Sequence, residues 1–195
     1  MSQKHADGQR LEALYVLAIT TGMRHGELLG LRWRDIDLDA GAVRVQSSLQ
    51  RVRGGFELSE PKTAHSRRQV VLGDSAVAAL RRWRLRQAEE RLAAGSAAWQ
   101  DSGLVFTNPL GENALGVLRT SFPALLERAG VPRVRFHDLR HSAATLMLGQ
   151  GIHPKIVSEM LGHSTVAITL DLYSHTTPTM QQEAAASMNR LLQAR

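Results

Sequence analysis

Cysteine is absent from the 195-residue sequence, which excludes disulfides and thiolate metal sites and fits an intracellular address. No stretch approaches the ~18 uninterrupted apolar residues that a membrane span requires. The opening MSQKHADGQRLEALY has no short apolar core of the kind a signal peptide carries. These absences predict a cytoplasmic protein with no membrane partner. Internal repeats and low-complexity segments are missing too, which leaves a globular chain long enough for a real core. Acidic residues are in deficit: 18 Asp and Glu stand against 24 Lys and Arg, a net charge of +6. That balance points towards a polyanionic partner without identifying it.

What is present reads as a mixed α/β chain, mainly helical, with a small three-stranded antiparallel sheet. Leu11, Leu14, Leu17 and Ala18 recur at helical spacing over residues 9–22, and Gly22 ends the run. A short helix follows over 24–31. AVRVQSSL (42–49) alternates Val43 and Val45 with polar residues, as a strand does. Gly54 and Gly55 mark a turn, and 56–58 and 69–72 read as the second and third strands. Asp74 or Ser75 is expected to cap a long helix with Val77, Leu80 and Leu92 inward and Arg81, Arg82, Arg84 and Arg86 in water. AAGSAAWQDSG reads as a surface loop and LVFTN as a short extended piece. Residues 114–129 read as a helix that Pro123 should kink or split. Three further helices are expected over 138–149, 154–161 and 165–173, with Met147, Leu148, Met160 and Leu161 in the core. Met180, Ala184, Met188, Leu191 and Leu192 then line one face of an amphipathic tail helix.

The stretch FHDLRHSAATLML (136–148) poses the chemical question. His137 and His141 are four residues apart and share a helix face. With His163 as a third ligand and Asp138 as base, they would make a metal site. Arg140 stands beside them, however, and its charge raises the cost of a dication there. A phosphate clamp and a set of buried, hydrogen-bonded polar residues are the other readings. Four more stretches carry candidate chemistry. TGMRHGELLGLRW (21–33) places Arg24 at a helix start, with Glu27 three residues on. SEPKTAHSRRQVV (59–71) puts Lys62 on the turn before a strand. LGH (161–163) sets His163 at a helix break, and TLDLYSH (169–175) carries Tyr173 near a helix end. Each has a plain alternative: an exposed ion pair for Arg24 and Glu27, a solvated turn lysine, a core aromatic.

Taken together and in order, these stretches resemble the catalytic domain of the tyrosine recombinases, the phage-integrase family. TGMRHGELLGL is similar to the family's first-arginine box, and HDLRHSAATLMLGQGIHPKIVSEMLGHSTVAITLDLYSH to its second. The resemblance runs from about residue 9 to residue 175 and implies the tyrosine recombinase catalytic-domain fold over 1–175, with 176–195 as the tail. It further implies attack by the Tyr173 hydroxyl on a DNA phosphodiester, giving a 3′-phosphotyrosyl link and a free 5′-hydroxyl. Arg24 and Arg140 would stabilise the extra negative charge on phosphorus. His163 would add a hydrogen bond, Lys62 would protonate the leaving oxygen, and His137 would assist as base. Glu27 would orient a cation, His141 would pack and hydrogen-bond inside the domain, and His175 would cap the tyrosine helix.

On this view the two arginines take the place of a metal, and a phosphotyrosyl ester that conserves bond energy removes the need for ATP; no cofactor is expected. Arg51, Arg53, Arg67 and Arg68, around the hairpin near Lys62, are candidates for holding DNA backbone, against the alternative of solvated surface arginines. The expected partners are double-stranded DNA at specific sites and further copies of the chain, in a tetramer on DNA, with the tail helix either exchanged between protomers or folded back on its own domain. The family's usual N-terminal core-binding and arm-binding domains have no counterpart in this chain. Integration or excision of a phage or other mobile element is the leading biology. A chromosome-dimer resolvase, a type IB-like topoisomerase, a non-catalytic DNA-binding relative and a metal hydrolase are the alternatives.

Overall fold

A computed structural model describes residues 10–59, 67–174, 188–189 and 192–193, without the side chains of 172–174. Helix α1, Glu12–Thr21, buries Leu14 and Leu17 completely and runs through the centre of the main core. Its end is set by Gly22, which takes the left-handed conformation (φ 63°) and returns its N–H to the Ala18 carbonyl. Glycine is required there for a second reason: a Cβ would lie 2.3 Å from the Leu161 side chain. A short helix α2, His25–Leu29, follows at once.

Strands β1 (Ile36–Asp37), β2 (Ala42–Val45) and β5 (Arg68–Val71) form an antiparallel sheet in the order β1-β2-β5, with Val43 opposite Val70 in the core. Strands β3 (Ser48–Val52) and β4 (Gly55–Ser59) form a separate hairpin that rests on α2. The expected single strand over 42–49 is therefore two, and the three-stranded sheet does not include 56–58. Alternation marks extended backbone but not its partner. Val45 ends the pairing with β5, and Ser48 begins the pairing with Ser59. Between them, Ser47 donates to the Gly30 carbonyl and carries the chain across to α2. The hairpin turn is Arg53–Gly54, one residue earlier than expected.

Helix α3, Asp74–Ala98, is capped by Gly73, so Asp74 sits inside the first turn, where its charge favours the helix dipole, and neither Asp74 nor Ser75 is the cap. Leu80, Trp83 and Gln87 form its buried stripe, with Val77 packed beside it. Leu92, expected inward, is exposed, because twelve residues on from Leu80 is about a third of a turn off that stripe. Arg81, Arg82, Arg84 and Arg86 are exposed. The helix also absorbs most of the expected loop at 93–103, changing direction at Gly95 (φ 73°, ψ 163°). Helix α4, Leu115–Ala129, continues unsplit through Pro123.

Helices α5 (Asp138–Gly149), α6 (Pro154–Leu161) and α7 (Val166–Ser174) pack on one another. Leu148, Val157, Leu161 and Met147 form a small second cluster there, and Met160 packs on the main core. The mainly helical fold with a small antiparallel sheet is as expected. Met188 and Leu192 are exposed, and the other apolar positions of the expected tail helix, Met180, Ala184 and Leu191, lie with Lys62 and His175 outside the described residues.

Gly22 and Gly130 offer a controlled comparison, since both end helices at φ near 63° and only Gly22 faces a neighbour within 4 Å. Gly130→Ala should cost about 1 kcal/mol from backbone strain. Gly22→Ala should cost more, about 2–3 kcal/mol, because Leu161 must also move. Urea unfolding midpoints of the two variants test the difference, and equal losses would contradict it.

Candidate active site

Four chain ends converge where α1 stops, α2 starts, β5 begins and α6 stops. Arg24 is the N-cap of α2 in extended conformation (φ −65°, ψ 149°). Glu27 closes the cap: its Oε2 accepts the Arg24 backbone N–H at 2.9 Å, and its Oε1 accepts Nη1 of Arg24 at 2.9 Å. The other end of the Arg24 guanidinium donates from Nη2 to the Gly162 carbonyl at 2.9 Å.

Arg68, from β5, grips the same carboxylate in a fork, Nη1 to Oε1 at 3.0 Å and Nη2 to Oε2 at 2.9 Å. Its Nε donates to the Met160 carbonyl at 2.6 Å. Gly162 leaves room for this guanidinium, because a Cβ there would approach Arg68 to within 2.9 Å. Arg140, from α5, is buried and donates from Nη1 to the Gly22 carbonyl at 2.8 Å.

Charges in this cluster shift one another. Burial would raise the Glu27 carboxyl, but Arg68 and then Arg24 hold it below its ordinary value, so it is ionised. Burial, then the cations of Arg24 and Arg68, pulls Arg140 down to about 9. His163, just past α6, is pulled down to about 4 by burial and then by Arg140, Arg24 and Arg68. It is therefore neutral at pH 7, with Nδ1 2.8 Å from the Thr169 hydroxyl. His137, the residue before α5, is also lowered, by burial and then by His141 and Arg140. Three guanidiniums share one carboxylate here, leaving local positive charge in surplus. Such a site gains from a bound anion, and guanidinium forks match phosphate oxygens.

The structure thus brings Arg24, Arg140 and His163 together around Glu27, with His137 within electrostatic reach of Arg140. Tyr173 lies in the last turn of α7 with its side chain outside the described residues, as Lys62 is entirely. Two expectations are corrected. His141 does not pack inside the domain; it is exposed, its ring edge-on to His137 at 5.5 Å, because Arg140, Ala143, Ala144 and Leu148 form the inward face of α5. Arg68 is no surface arginine, since its side chain is 7% exposed and committed to Glu27. Arg51, Arg53 and Arg67 are exposed. Sequence reasoning missed His25, packed on Phe136 at 5.3 Å and lowered by burial and then His137, and Thr169. Among the described residues no group of three His, Cys, Asp or Glu is arranged to hold a metal, and no helix is long and apolar enough to cross a membrane.

The phage integrase family model matches residues 1–180. The chain belongs to the phage integrase family. It is 41% identical to a tyrosine recombinase XerC-like protein of Caldanaerobacter subterraneus subsp. tengcongensis, over 94% of this chain and 50% of that protein. It is 30% identical to the ICEBs1 integrase of Bacillus subtilis, over 93% of this chain and 49% of that protein. Among solved structures it resembles the Tn1549 transposon integrase in complex with circular intermediate DNA. There the TM-score is 0.72 and the identity 25%, over 94% of this chain and 60% of that one. The chain spans about half the length of the curated relatives it matches.

Two outcomes are expected of this cluster. Arg68→Met strips a buried carboxylate of its forked partner and should cost about 3 kcal/mol in urea unfolding, with Arg68→Lys intermediate. A loss near zero would mean that Arg68 acts at the surface after all. The second outcome concerns acid. His163 titrates near 6.5 when unfolded and near 4 when folded, so between those values the unfolded chain binds more protons. Its contribution is intact above about 6.5 and is lost as pH falls towards 4. The unfolding midpoint should fall less steeply over that window in His163→Gln than in the parent, and parallel curves would refute the assignment.

Proposed function

We propose that this chain is the catalytic domain, over 1–175, of a site-specific recombinase that cuts and rejoins double-stranded DNA. The observation that carries the reading is the cation cluster: Arg24 and Arg140 fixed on backbone carbonyls beside a neutral His163, on the two boxes that resemble the family's. A guanidinium has five N–H donors, and the described bonds occupy two on Arg24 and one on Arg140. The remainder can address the non-bridging oxygens of a phosphodiester.

In the reaction we propose, the Tyr173 oxygen forms a bond to phosphorus as the bond from phosphorus to the 5′-oxygen breaks. The tyrosine proton passes to His137, which burial and neighbouring cations keep neutral and able to accept it. Lys62 gives a proton to the departing 5′-oxygen, and rejoining reverses both transfers. Arg24 and Arg140 stabilise the charge that builds on phosphorus, each donor set being worth roughly 3 kcal/mol in comparable oxyanion sites. Glu27 and Arg68 hold Arg24 in place. Arg51 and Arg53, exposed on the hairpin, and Arg67, exposed just before β5, would meet the DNA backbone.

The Tn1549 transposon integrase structure is a complex with DNA, which supports DNA as the partner here. The integrase names among the relatives support integration or excision of a mobile element as the biology. We further propose assembly as a tetramer on DNA, with residues 176–195 exchanged between protomers.

The test is a covalent adduct. Incubated with nicked half-site DNA in the presence of chelator, the protein should form a phosphotyrosyl adduct resolved by denaturing electrophoresis, and Tyr173→Phe should form none. An adduct surviving in Tyr173→Phe would remove Tyr173 from the role, and activity lost to chelator and restored by zinc would favour a metal hydrolase.

A further inference from the structure

Over residues 166–171, helix α7 is built inside out. Val166, Ile168 and Leu170 are exposed, at 36–46%, while Thr169 is fully buried. Burying a threonine in place of its apolar neighbours loses hydrophobic stabilisation and needs a partner for the hydroxyl. Helical serine and threonine hydroxyls usually turn back to the carbonyl four residues earlier. Thr20, Thr21 and Ser142 all do so in this chain. Among the described residues the Thr169 hydroxyl instead meets Nδ1 of His163, at 2.8 Å.

A neutral imidazole carries one N–H, on either nitrogen, and the hydrogen bond made by one nitrogen decides the state of the other. If the Thr169 hydroxyl donates to Nδ1, the ring proton sits on Nε2 and that edge becomes a donor. If Nδ1 donates to the hydroxyl, Nε2 becomes an acceptor and would repel a phosphate oxygen. The first arrangement is the one that suits an anion: a site with surplus positive charge receives one, and His163 must then offer a proton to it.

We propose that Thr169 is a positioning residue that fixes His163 as the Nε2–H tautomer and aims that donor at the scissile phosphate. The inference rests on the recombinase reading for the identity of the anion. It adds a coupling: Thr169 precedes Tyr173 by four residues in α7, so the helix that carries the nucleophile also sets the phosphate donor. A displaced α7 would withdraw both together.

Nitrogen-15 spectra of the histidine-labelled chain test this directly, with the His163 signals assigned from His163→Gln. In the wild type, Nε2 should show the protonated shift and Nδ1 the unprotonated one. Thr169→Val, which keeps the shape and removes the hydroxyl, should move both signals towards the average of two tautomers, and Thr169→Ser should restore them. On nicked half-site DNA, Thr169→Val should slow cleavage at saturation about tenfold with DNA affinity unchanged, and Thr169→Ser should recover most of it. A wild-type His163 protonated on Nδ1 would overturn the proposal without any variant. So would a Thr169→Val protein with unchanged nitrogen shifts or unchanged cleavage. If the wild type forms no adduct but shows the Nε2–H tautomer lost in Thr169→Val, the recombinase reading fails and the tautomer assignment stands.

Discussion

The buried carboxylate of Glu27 is the constraint on which the site depends. An isolated charge at that depth would cost several kcal/mol, and it persists because two guanidiniums and a backbone N–H satisfy both oxygens. Those partners come from the start of α2 and from β5, so one side chain joins the sheet to the helical half. Further donors reach out to carbonyls: Arg140 to Gly22, Arg68 to Met160, Arg24 to Gly162. Gly22 is the C-cap of α1, and Met160 and Gly162 lie at the C-terminal end of α6. Carbonyls at helix ends lack intrahelical partners and carry the negative end of the helix dipole. The cations are thus oriented largely by partial charges, which hold a guanidinium without cancelling it.

That choice of partners explains the electrostatics. Had each arginine been paired with its own carboxylate, the site would be neutral and indifferent to phosphate. Burial first, and then the surplus of three guanidiniums over one carboxylate, lowers Arg140 and holds His163 neutral. The two effects have the same cause and opposite uses. Arg140, lowered to about 9, remains charged at neutral pH and on the proposed reading stabilises an anion. The histidine, kept neutral, serves on the proposed reading as a directional hydrogen-bond donor rather than as an acid.

Much of this was legible in the sequence because it depends on local periodicity and on ordered motifs. The helices α1, α5 and α6 follow from apolar spacing and from Gly22, Pro154 and Gly162 at their ends. What was not legible depends on partners distant in sequence. Arg68 and Arg67 look alike as text, yet neighbours on a strand point to opposite faces. Arg68 shares its face with buried Val70, two residues on, so the alternation held a signal that the count of basic residues hid. His141 was misjudged for the converse reason, since four residues from His137 along a helix gives proximity but not burial. The hairpin left the sheet because Ser47 found Gly30, a contact no local pattern encodes.

The site therefore joins two regimes of order. Arg24, Arg68 and Arg140 are each tied to the backbone of a neighbouring element, and the glycines at 22 and 162 let those elements approach closely. Preorganised charge of this kind stabilises a transition state without reorganising when it forms. Helix α7 is anchored differently: of residues 166–171 only Thr169 is buried. On the proposed reading, a fixed set of cations allows the phosphate site to exist before the tyrosine is engaged, and the Thr169–His163 contact is where that site meets α7.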